Sequence, residues 1–341
     1  MKKVTIALCA LLLAATGCAR KPALYVYNWT DYMNPDLIQQ FEKEFNCRVV
    51  RDFYDSNEAM YAKIKAGGAG YDVIFPSGYM ISIMQQQGML LPLDLSLIPN
   101  VKHMDPLILD ITQDREMKVS VPYMAGSTGI GYQKGRVPDF EPTWGMFDRE
   151  AYKGRVTMLN DMREVIGAAL KFLGYSYNST NDTELAAARD VAIRWKRNLA
   201  KFESDQYKNG LVSSEFLITH GFSGDVLQVM AESDEIGFVV PREGTSVAID
   251  AMVIPATARQ PGLAHAFINF MHRPEVAAAN ILFVQYRCPN LAAYELLDAK
   301  VRADESIFLP DEVMKHCEVI QDLGENNAKF AKTWDAIRAA E

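Results

Sequence analysis

The sequence predicts an α/β protein of two lobes, and three observations lead to this fold class. The chain has 341 residues, of which 49% are hydrophobic and 23% charged, a composition typical of a soluble globular protein long enough for two packed cores. After residue 22, apolar segments of strand length alternate with amphipathic segments of helical period. No low-complexity linker or internal repeat divides the chain, which favours two lobes joined by strands that cross between them.

The start of the sequence predicts an exported lipoprotein. Lys2 and Lys3 precede an apolar run at 4–15, which is too short to span a bilayer as a mature helix. Small residues then lead to Cys18 in the segment AATGC, which resembles a bacterial lipobox. We therefore expect a lipoprotein signal peptide at 1–17, a lipid anchor at Cys18 and a periplasmic or other extracytoplasmic location. Cleavage to a free soluble protein is the alternative.

The charge balance disfavours nucleic acid as a partner. The chain has 35 basic and 43 acidic residues and a formal net charge of -8. Removal of the signal peptide with its two lysines makes the charge about -10. This balance suits a cationic partner, although acidity alone is weak support for one.

The first half reads as strands and helices in alternation. We expect strands at 23–29, 47–54 and 71–77 and helices that begin after the capping residues Asn34 and Ser56. This β-α-β-α-β order predicts a mainly parallel sheet. Tyr25 and Tyr27, on the first strand, are expected to be packing residues.

The second region also alternates predicted strands and helices. The sequence predicts helices near MREVIGAALKFLG and TELAAARDVAIRWKRNLA, strands at EIGFVVP and SVAIDAMVIP, and a helix pair broken at Pro274. GSTGIG, at 126–131, resembles a phosphate loop but lacks the Lys-Ser/Thr that would follow, and is interpreted as a backbone crossing that needs small residues.

Signatures of catalysis and of metal binding are missing from the sequence. GFSGD, at 221–225, lacks the glycine of a nucleophile elbow. The histidines show no HExxH or HxH spacing; they are His103, His220, His265, His272 and His316. We therefore expect no enzyme, no metal and no cofactor. Cys47, Cys288 and Cys317 are interpreted as free thiols, with a Cys288–Cys317 bridge as the alternative.

Aromatic and acidic residues concentrate where the predicted strands end. Ligands of open parallel sheets bind beyond the carboxyl ends of the strands, so these residues are candidates for one site. Trp29 and Tyr286 could equally be packing residues, and Asp161 could cap the helix that follows it. The candidates are Trp29, Asp31, Tyr32, Ser77, Tyr79, Asp161, Glu164, Phe222, Asp225, Asp250 and Tyr286.

The segments YVYNWTDYM, DSNEAMYAKIKAGGAGYDVIFPSGYM, PYMAGSTGIGY, GFSGDV, VVPREG, IDAMVIP and YRCPNLAA resemble the bacterial extracytoplasmic binding proteins for spermidine and putrescine. The likeness covers essentially the whole mature chain. It implies a two-lobed periplasmic-binding-protein fold of type II, each lobe a mainly parallel sheet flanked by helices, with two crossings between the lobes. The lobes would be 22–128 with 249–294, and 129–248 with 295–341.

The resemblance also implies a function. Members of this family are not enzymes; they capture polyamines in the interlobe cleft and deliver them to the permease of an ATP-driven importer in the membrane. The alternatives that stay open are a binder of a different organic cation, an exported enzyme and a surface adhesin.

The family's site carries over residue by residue. The aromatic walls would be Trp29, Tyr32, Tyr79, Phe222 and Tyr286. Asp161, Glu164 and Asp250 match the acidic positions of spermidine binders, and Asp31 and Asp225 those of putrescine binders. Thr30 and Ser77 would supply hydrogen bonds, and Gln321 would close the site. Phe222 and Ala248 stand where the family often has tryptophan, so a roomier cleft and a slight preference for spermidine are expected.

Overall fold

A computed structural model describes residues 21–67 and 70–340; Cys18 and the predicted signal peptide lie outside them. The strands are β1 (Ala23–Trp29), β2 (Arg48–Tyr54), β3 (Val73–Ile74), β4 (Ser120–Gln133), β5 (Val156–Met158), β6 (Leu199–Phe202), β7 (Ile218–Phe222), β8 (Ile236–Val239), β9 (Ser246–Val253) and β10 (Glu318–Val319). The helices are α1 (Pro35–Glu44), α2 (Asn57–Lys65), α3 (Gly78–Gln86), α4 (Pro106–Ile111), α5 (Met162–Phe172), α6 (Asp182–Lys196), α7 (Tyr207–Val212), α8 (Ser223–Met230), α9 (Pro261–Met271), α10 (Pro274–Val284), α11 (Leu291–Tyr294), α12 (Ala299–Arg302), α13 (Asp311–Met314) and α14 (Asn327–Ala339).

The first lobe is built on β2, β1 and β3, which pair in this order. The pairing is parallel, as predicted. Its helices begin where the capping residues require. The side chain of Asn34 accepts a hydrogen bond from the backbone N–H of Asp36, and that of Ser56 from Ala59. Tyr27 is buried, but Tyr25 is 37% exposed, so its prediction as a packing residue was wrong.

The second lobe is built on a second parallel set, β7-β5-β6. The helix predicted as far as Ala200 ends at Lys196, and Leu199 already belongs to a strand. Asn198 decides this, because its side chain is buried and donates a hydrogen bond to the backbone oxygen of Phe147. The chain then pairs with β5 instead of continuing as a helix.

Strands β4 and β9 connect the two parallel sets. β4 pairs with β9 through residues 120–127 and with β7 and β8 through 128–133, and all these pairings are antiparallel. The GSTGIG segment is therefore a backbone crossing, as interpreted. A Cβ atom on Gly129 would lie 2.5 Å from the backbone oxygen of Val239, so the crossing needs glycine at this position. The α/β class is confirmed, and the antiparallel crossing strands make the combined sheet mixed.

Two main apolar cores lie on either side of this crossing. One contains Phe41, Phe75 and Phe267, and the other contains Trp144 and Trp195. The chain after residue 294, predicted to belong to the second lobe, contributes to both. Leu297 and Phe308 pack with the first core, whereas Phe330, Trp334 and Ile337 pack with the second. Between these two groups of residues, β10 pairs with β9. The chain therefore crosses between the lobes a third time, in addition to the two crossings that were expected.

The remaining sequence predictions concern thiols and membrane spans. Cys47 and Cys288 are buried, Cys317 is partly buried, and all three are free thiols, as predicted. Within residues 21–67 and 70–340, none of the helices has the length and apolar character that a membrane crossing requires.

Candidate functional site

A pocket of about 900 Å³, counting its open mouth, lies where the two lobes meet. Eleven of the predicted site residues line it, so sequence positions up to 257 apart meet here: Trp29, Thr30, Tyr32, Ser77, Tyr79, Asp161, Glu164, Phe222, Asp225, Asp250 and Tyr286.

Asp31 and Gln321 do not line the pocket. The side chain of Asp31 is 56% exposed and forms an ion pair with Lys208 of the other lobe. Gln321 contributes its backbone to the second lobe: its oxygen accepts from Arg163 and its N–H donates to Asn178. The neighbouring Ile320 lines the pocket instead.

Aromatic rings form the walls of the pocket. The indole N–H of Trp29 donates to the backbone oxygen of Phe75 at 2.8 Å, which fixes the ring at the end of β1. The ring centroids of Trp29 and Phe222, from opposite lobes, are 6.4 Å apart. Tyr32 meets Tyr286 edge to face, with centroids 5.0 Å apart and an angle of 89° between the rings.

Two glycines make room for the ring of Tyr286. A Cβ atom on Gly224 would lie 2.0 Å from its Cε2 atom, and one on Gly126 would lie 2.5 Å from its Cδ1 atom. Gly126 belongs to the crossing strand β4 and Gly224 to α8 of the second lobe. The backbone at these two glycines therefore packs directly against the ring and holds it at the junction of the lobes.

Asp250 lies on β9 and is held by two hydroxyl groups. Ser77 Oγ donates to its Oδ1 at 2.6 Å, and Tyr32 Oη donates to its Oδ2 at 2.9 Å. Desolvation raises the pKa of Asp250 to about 6, although both hydrogen bonds favour the charged form. Each oxygen keeps a lone pair for a further donor, so the carboxylate can receive a ligand cation.

Asp161 and Glu164 lie at the N-terminus of α5. Asp161 caps the helix, as the alternative reading proposed: it accepts from the backbone N–H groups of Arg163 and Glu164. Desolvation, with the negative charges of Glu58 and Glu164, raises the pKa of Asp161 to about 7. Capping and pocket lining are therefore compatible roles of one side chain.

Glu164 is enclosed by protein donors. It accepts hydrogen bonds from Thr128 at 2.9 Å, Ser246 at 2.9 Å and Tyr177 at 2.7 Å. Burial acts to raise the pKa of Glu164, but nearby His220 and the hydrogen bonds from Tyr177 and Ser246 outweigh it and leave the pKa lowered. Glu164 thus stays charged deep in the second lobe.

Asp225 lies at the other end of the pocket. Its oxygens accept from Tyr207 at 3.0 Å and from Tyr286 at 3.5 Å. Desolvation raises the pKa of Asp225, and the positive charge of Lys208 opposes this shift.

Comparison with known proteins identifies the family. A model described as bacterial extracellular solute-binding protein matches residues 36–308. The chain belongs to this solute-binding protein family.

Relatives of this solute-binding protein are similar over most of their length. A spermidine/putrescine-binding periplasmic protein of Escherichia coli (strain K12) is 34% identical over 332 residues, which cover 97% of this chain and 95% of the relative. A putrescine/cadaverine-binding protein of Pseudomonas aeruginosa is 32% identical, with 99% of each chain covered. The resemblance to spermidine- and putrescine-binding proteins is confirmed.

Solved structures agree with this assignment. The TpPotD lipoprotein (Tp0655) of Treponema pallidum matches with a TM-score of 0.81 at 36% identity, over 92% of this chain and 99% of that one. The predicted periplasmic-binding-protein fold is thereby confirmed. The family consists of solute-binding transport proteins and is not an enzyme family.

The solute-binding protein also has pocket residues that the sequence did not single out. Arg163 is 1% exposed, and its guanidinium lies 5.5 Å from the centre of the Tyr79 ring. Lys208 is 7% exposed. The others include Tyr54, Asp55, Asn57, Ser127, Thr128, Ser204, Asp205 and Ser246. Arg163 stands within the predicted helix MREVIGAALKFLG, between the candidates Asp161 and Glu164, so its position was a usable signal. Lys208 lies in a short helix with no distinguishing pattern.

The pocket of the solute-binding protein has a definite chemical character. Aromatic faces line an apolar passage, and carboxylates lie along it. In the described part of the chain, Asp161 and Asp250 receive hydrogen bonds from uncharged donors only. This arrangement suits an elongated apolar ligand that carries positive charges.

Proposed function

We propose that this protein is a lipid-anchored solute-binding protein that captures polyamines, spermidine or putrescine, and delivers them to the permease of an ABC importer. The observation that carries the proposal is the pair of carboxylates, Asp161 and Asp250, in an aromatic cleft between two lobes. Desolvation raises the pKa of both groups, as expected for buried carboxylates that form no ion pair. The names of the full-length relatives point to the same ligands.

Polyamine chemistry fits the pocket. A polyamine is a methylene chain with ammonium groups that are charged at neutral pH. Aromatic faces bind the methylenes and attract the ammonium groups, with about 0.5–2 kcal/mol for each cation–π contact. Carboxylates must neutralise each ammonium group, because an unpaired desolvated charge costs several kcal/mol.

The individual roles follow from position. Trp29, Tyr32 and Tyr286 would enclose the methylene chain, and Asp161 and Asp250 would bind ammonium groups. Further contacts are proposed for Thr30, Ser77, Tyr79, Glu164, Phe222 and Asp225. Asp31 and Gln321 do not line the pocket. Asp31 would act indirectly through its ion pair with Lys208, and Gln321 through its hydrogen bond with Arg163.

Closure of the two lobes would couple binding to transport. Asp161 belongs to the second lobe and Asp250 to the strand that returns to the first, so one ligand can hold both lobes together. β4 and β9 are the proposed hinges, with 22–128 and 249–294 in one lobe, 129–248 in the other and the C-terminal segment shared. The permease would recognise the closed form.

Calorimetric titration with spermidine, spermine, putrescine and arginine tests the ligand class. We expect binding of at least one polyamine and its recovery unchanged by mass spectrometry, as a binding protein requires. Binding of arginine with none of the polyamines would point instead to a different organic cation. Turnover of the bound polyamine would identify an enzyme, and no affinity for any small molecule would favour an adhesin.

The membrane anchor is tested separately. The segment before Cys18 resembles a lipobox, and a solved relative is itself a lipoprotein. We expect the wild type in the membrane fraction with a lipidated N-terminal peptide, and Cys18→Ser in the soluble fraction. Equal release of both proteins into the soluble fraction would refute the anchor and leave the ligand proposal intact.

A further inference from the structure

A lysine of the protein itself enters the cleft. Lys208, on α7 of the second lobe, lines the pocket, and only 7% of its surface is exposed. Its Nζ atom lies 2.8 Å from Oδ2 of Asp31, which follows β1 in the first lobe. A cation of the protein is therefore fixed across the lobes inside a cleft proposed to bind cations.

Lys208 faces more than one carboxylate. Besides Asp31, the negative charges of Asp225 and Asp205 act on its ammonium group. Asp205 and Asp225 line the same pocket. Burial disfavours the charged form of Lys208, but these carboxylates outweigh burial and raise its pKa, so Lys208 is an ammonium at neutral pH. At this end of the cleft, the ammonium group of Lys208 is thus the counter-ion of the carboxylates.

Elsewhere in the pocket, the carboxylates of Asp161 and Asp250 form no ion pair with a side chain of the described residues, although Arg163 also lines the pocket. Asp161 accepts from backbone N–H groups, and Asp250 accepts from the hydroxyls of Ser77 and Tyr32. The nearby Arg163 directs its terminal nitrogens elsewhere, to the backbone oxygen of Gln321 and to Oδ1 of Asn178, at 2.8 and 2.9 Å. Two carboxylates are left for ammonium groups of a ligand.

We propose that Lys208 is a specificity-determining residue, whose ammonium group replaces one ligand ammonium at the Asp31–Asp225 end and makes the cleft prefer a diamine to a triamine. This inference rests on the proposed function. A linear diamine supplies one ammonium for Asp161 and one for Asp250. The third ammonium of a triamine would meet Lys208, and like charges at close range repel in a site of low dielectric constant.

The first test compares ligands on the wild-type protein. By calorimetry, we expect 1,4-diaminobutane to bind at least about tenfold more tightly than spermidine. Monoacetylated spermidine, which has lost one ammonium group, should bind at least as tightly as spermidine. Tighter binding of spermidine than of both other ligands would overturn the inference whatever any variant does. Binding of neither diamine nor triamine would refute the proposed function itself.

The second test changes the lysine. Lys208→Met keeps the apolar stem and removes the charge, and we expect the spermidine-to-diamine affinity ratio to rise by about tenfold or more. Lys208→Arg keeps a cation and should retain the diamine preference. Circular dichroism verifies that both variants are folded. An unchanged ratio in folded Lys208→Met would overturn the role of Lys208 while leaving polyamine binding established.

Discussion

Ser77 Oγ donates a hydrogen bond to Oδ1 of Asp250 at 2.6 Å, and the same two residues form an antiparallel β-bridge. Ser77 ends the segment after β3, whereas Asp250 lies on the strand that returns from the second lobe. The bridge fixes the backbone of Asp250, and the hydroxyl fixes its carboxylate. The cleft therefore contains an acceptor that is oriented before any ligand arrives.

Removal of this charge should weaken ligand binding. For Asp250→Asn we expect a loss of about 1.5–3 kcal/mol in polyamine binding, because a charge-assisted hydrogen bond is lost while shape is kept. Calorimetric titration measures the loss, and circular dichroism should show an unchanged fold. Asp298→Asn is the matched control, since Asp298 is exposed and its side chain does not cap α12. Wild-type affinity in Asp250→Asn would remove Asp250 from the site.

Polyamine binding should release protons near neutral pH. The pKa of Asp161 is raised to about 7 and that of Asp250 to about 6, so both are partly protonated in the free protein near pH 6.5. A ligand ammonium favours the carboxylate and lowers both pKa values. Affinity should therefore rise from about pH 5.5 to about pH 7.5.

Titrations in two buffers with different ionisation enthalpies measure this release. The apparent binding enthalpy should differ between the buffers at pH values near the pKa of Asp161 and Asp250, and Asp250→Asn should release fewer protons than the wild type. Identical enthalpies in both buffers, with affinity independent of pH, would contradict the assignment of these carboxyls to the ligand.

The space that Gly224 leaves for the ring of Tyr286 should not accommodate a methyl group. In Gly224→Ala the new Cβ atom would lie 2.0 Å from the ring of Tyr286, so the ring must leave its present position against Tyr32 and Asp225. We expect weaker polyamine binding and a lower melting temperature. Gly262→Ala is the control, because no atom lies within 4 Å of its Cβ position and alanine favours a helix. Equal affinity of both variants would show that the position of Tyr286 does not matter to the ligand.

The wall formed by Phe222 should act through its aromatic ring. Phe222→Leu keeps apolar bulk but removes the ring face, and we expect polyamine binding to weaken by about 0.5–2 kcal/mol. Phe222→Trp should bind at least as tightly as the wild type. Phe53→Leu, at a side chain that is 45% exposed outside the pocket, serves as the control. Full affinity in Phe222→Leu would leave Phe222 as packing only.

Local signals were enough to predict the first three strands, the helices between them and several elements of the second region. Asn34 and Ser56 begin helices because their side chains satisfy backbone donors only a few residues away. Asp250 lies within the antiparallel strand β9, but Trp29 ends β1 and Phe222 ends β7, and both line the pocket because ligands of parallel sheets bind at the carboxyl ends of the strands. Asp161 also fits this logic, as cap and as pocket wall.

Tertiary structure decided what depends on distant partners. Leu199 leaves the predicted helix because the side chain of Asn198 bonds to Phe147 and β5 offers a pairing strand. Tyr25 is 37% exposed although its neighbours on β1 are buried. Asp31 adopts a left-handed backbone with φ of 52°, and its side chain meets Lys208 instead of the pocket.

The sequence by itself determined the class of protein, the alternation of strands and helices at the start of the chain and most of the residues that line the cleft. Only the tertiary structure placed Lys208 in that cleft, 177 positions after its partner Asp31. The physical reason is range: caps, turns and periodicity act within one element, whereas the charge balance of a cleft depends on side chains that two lobes bring together.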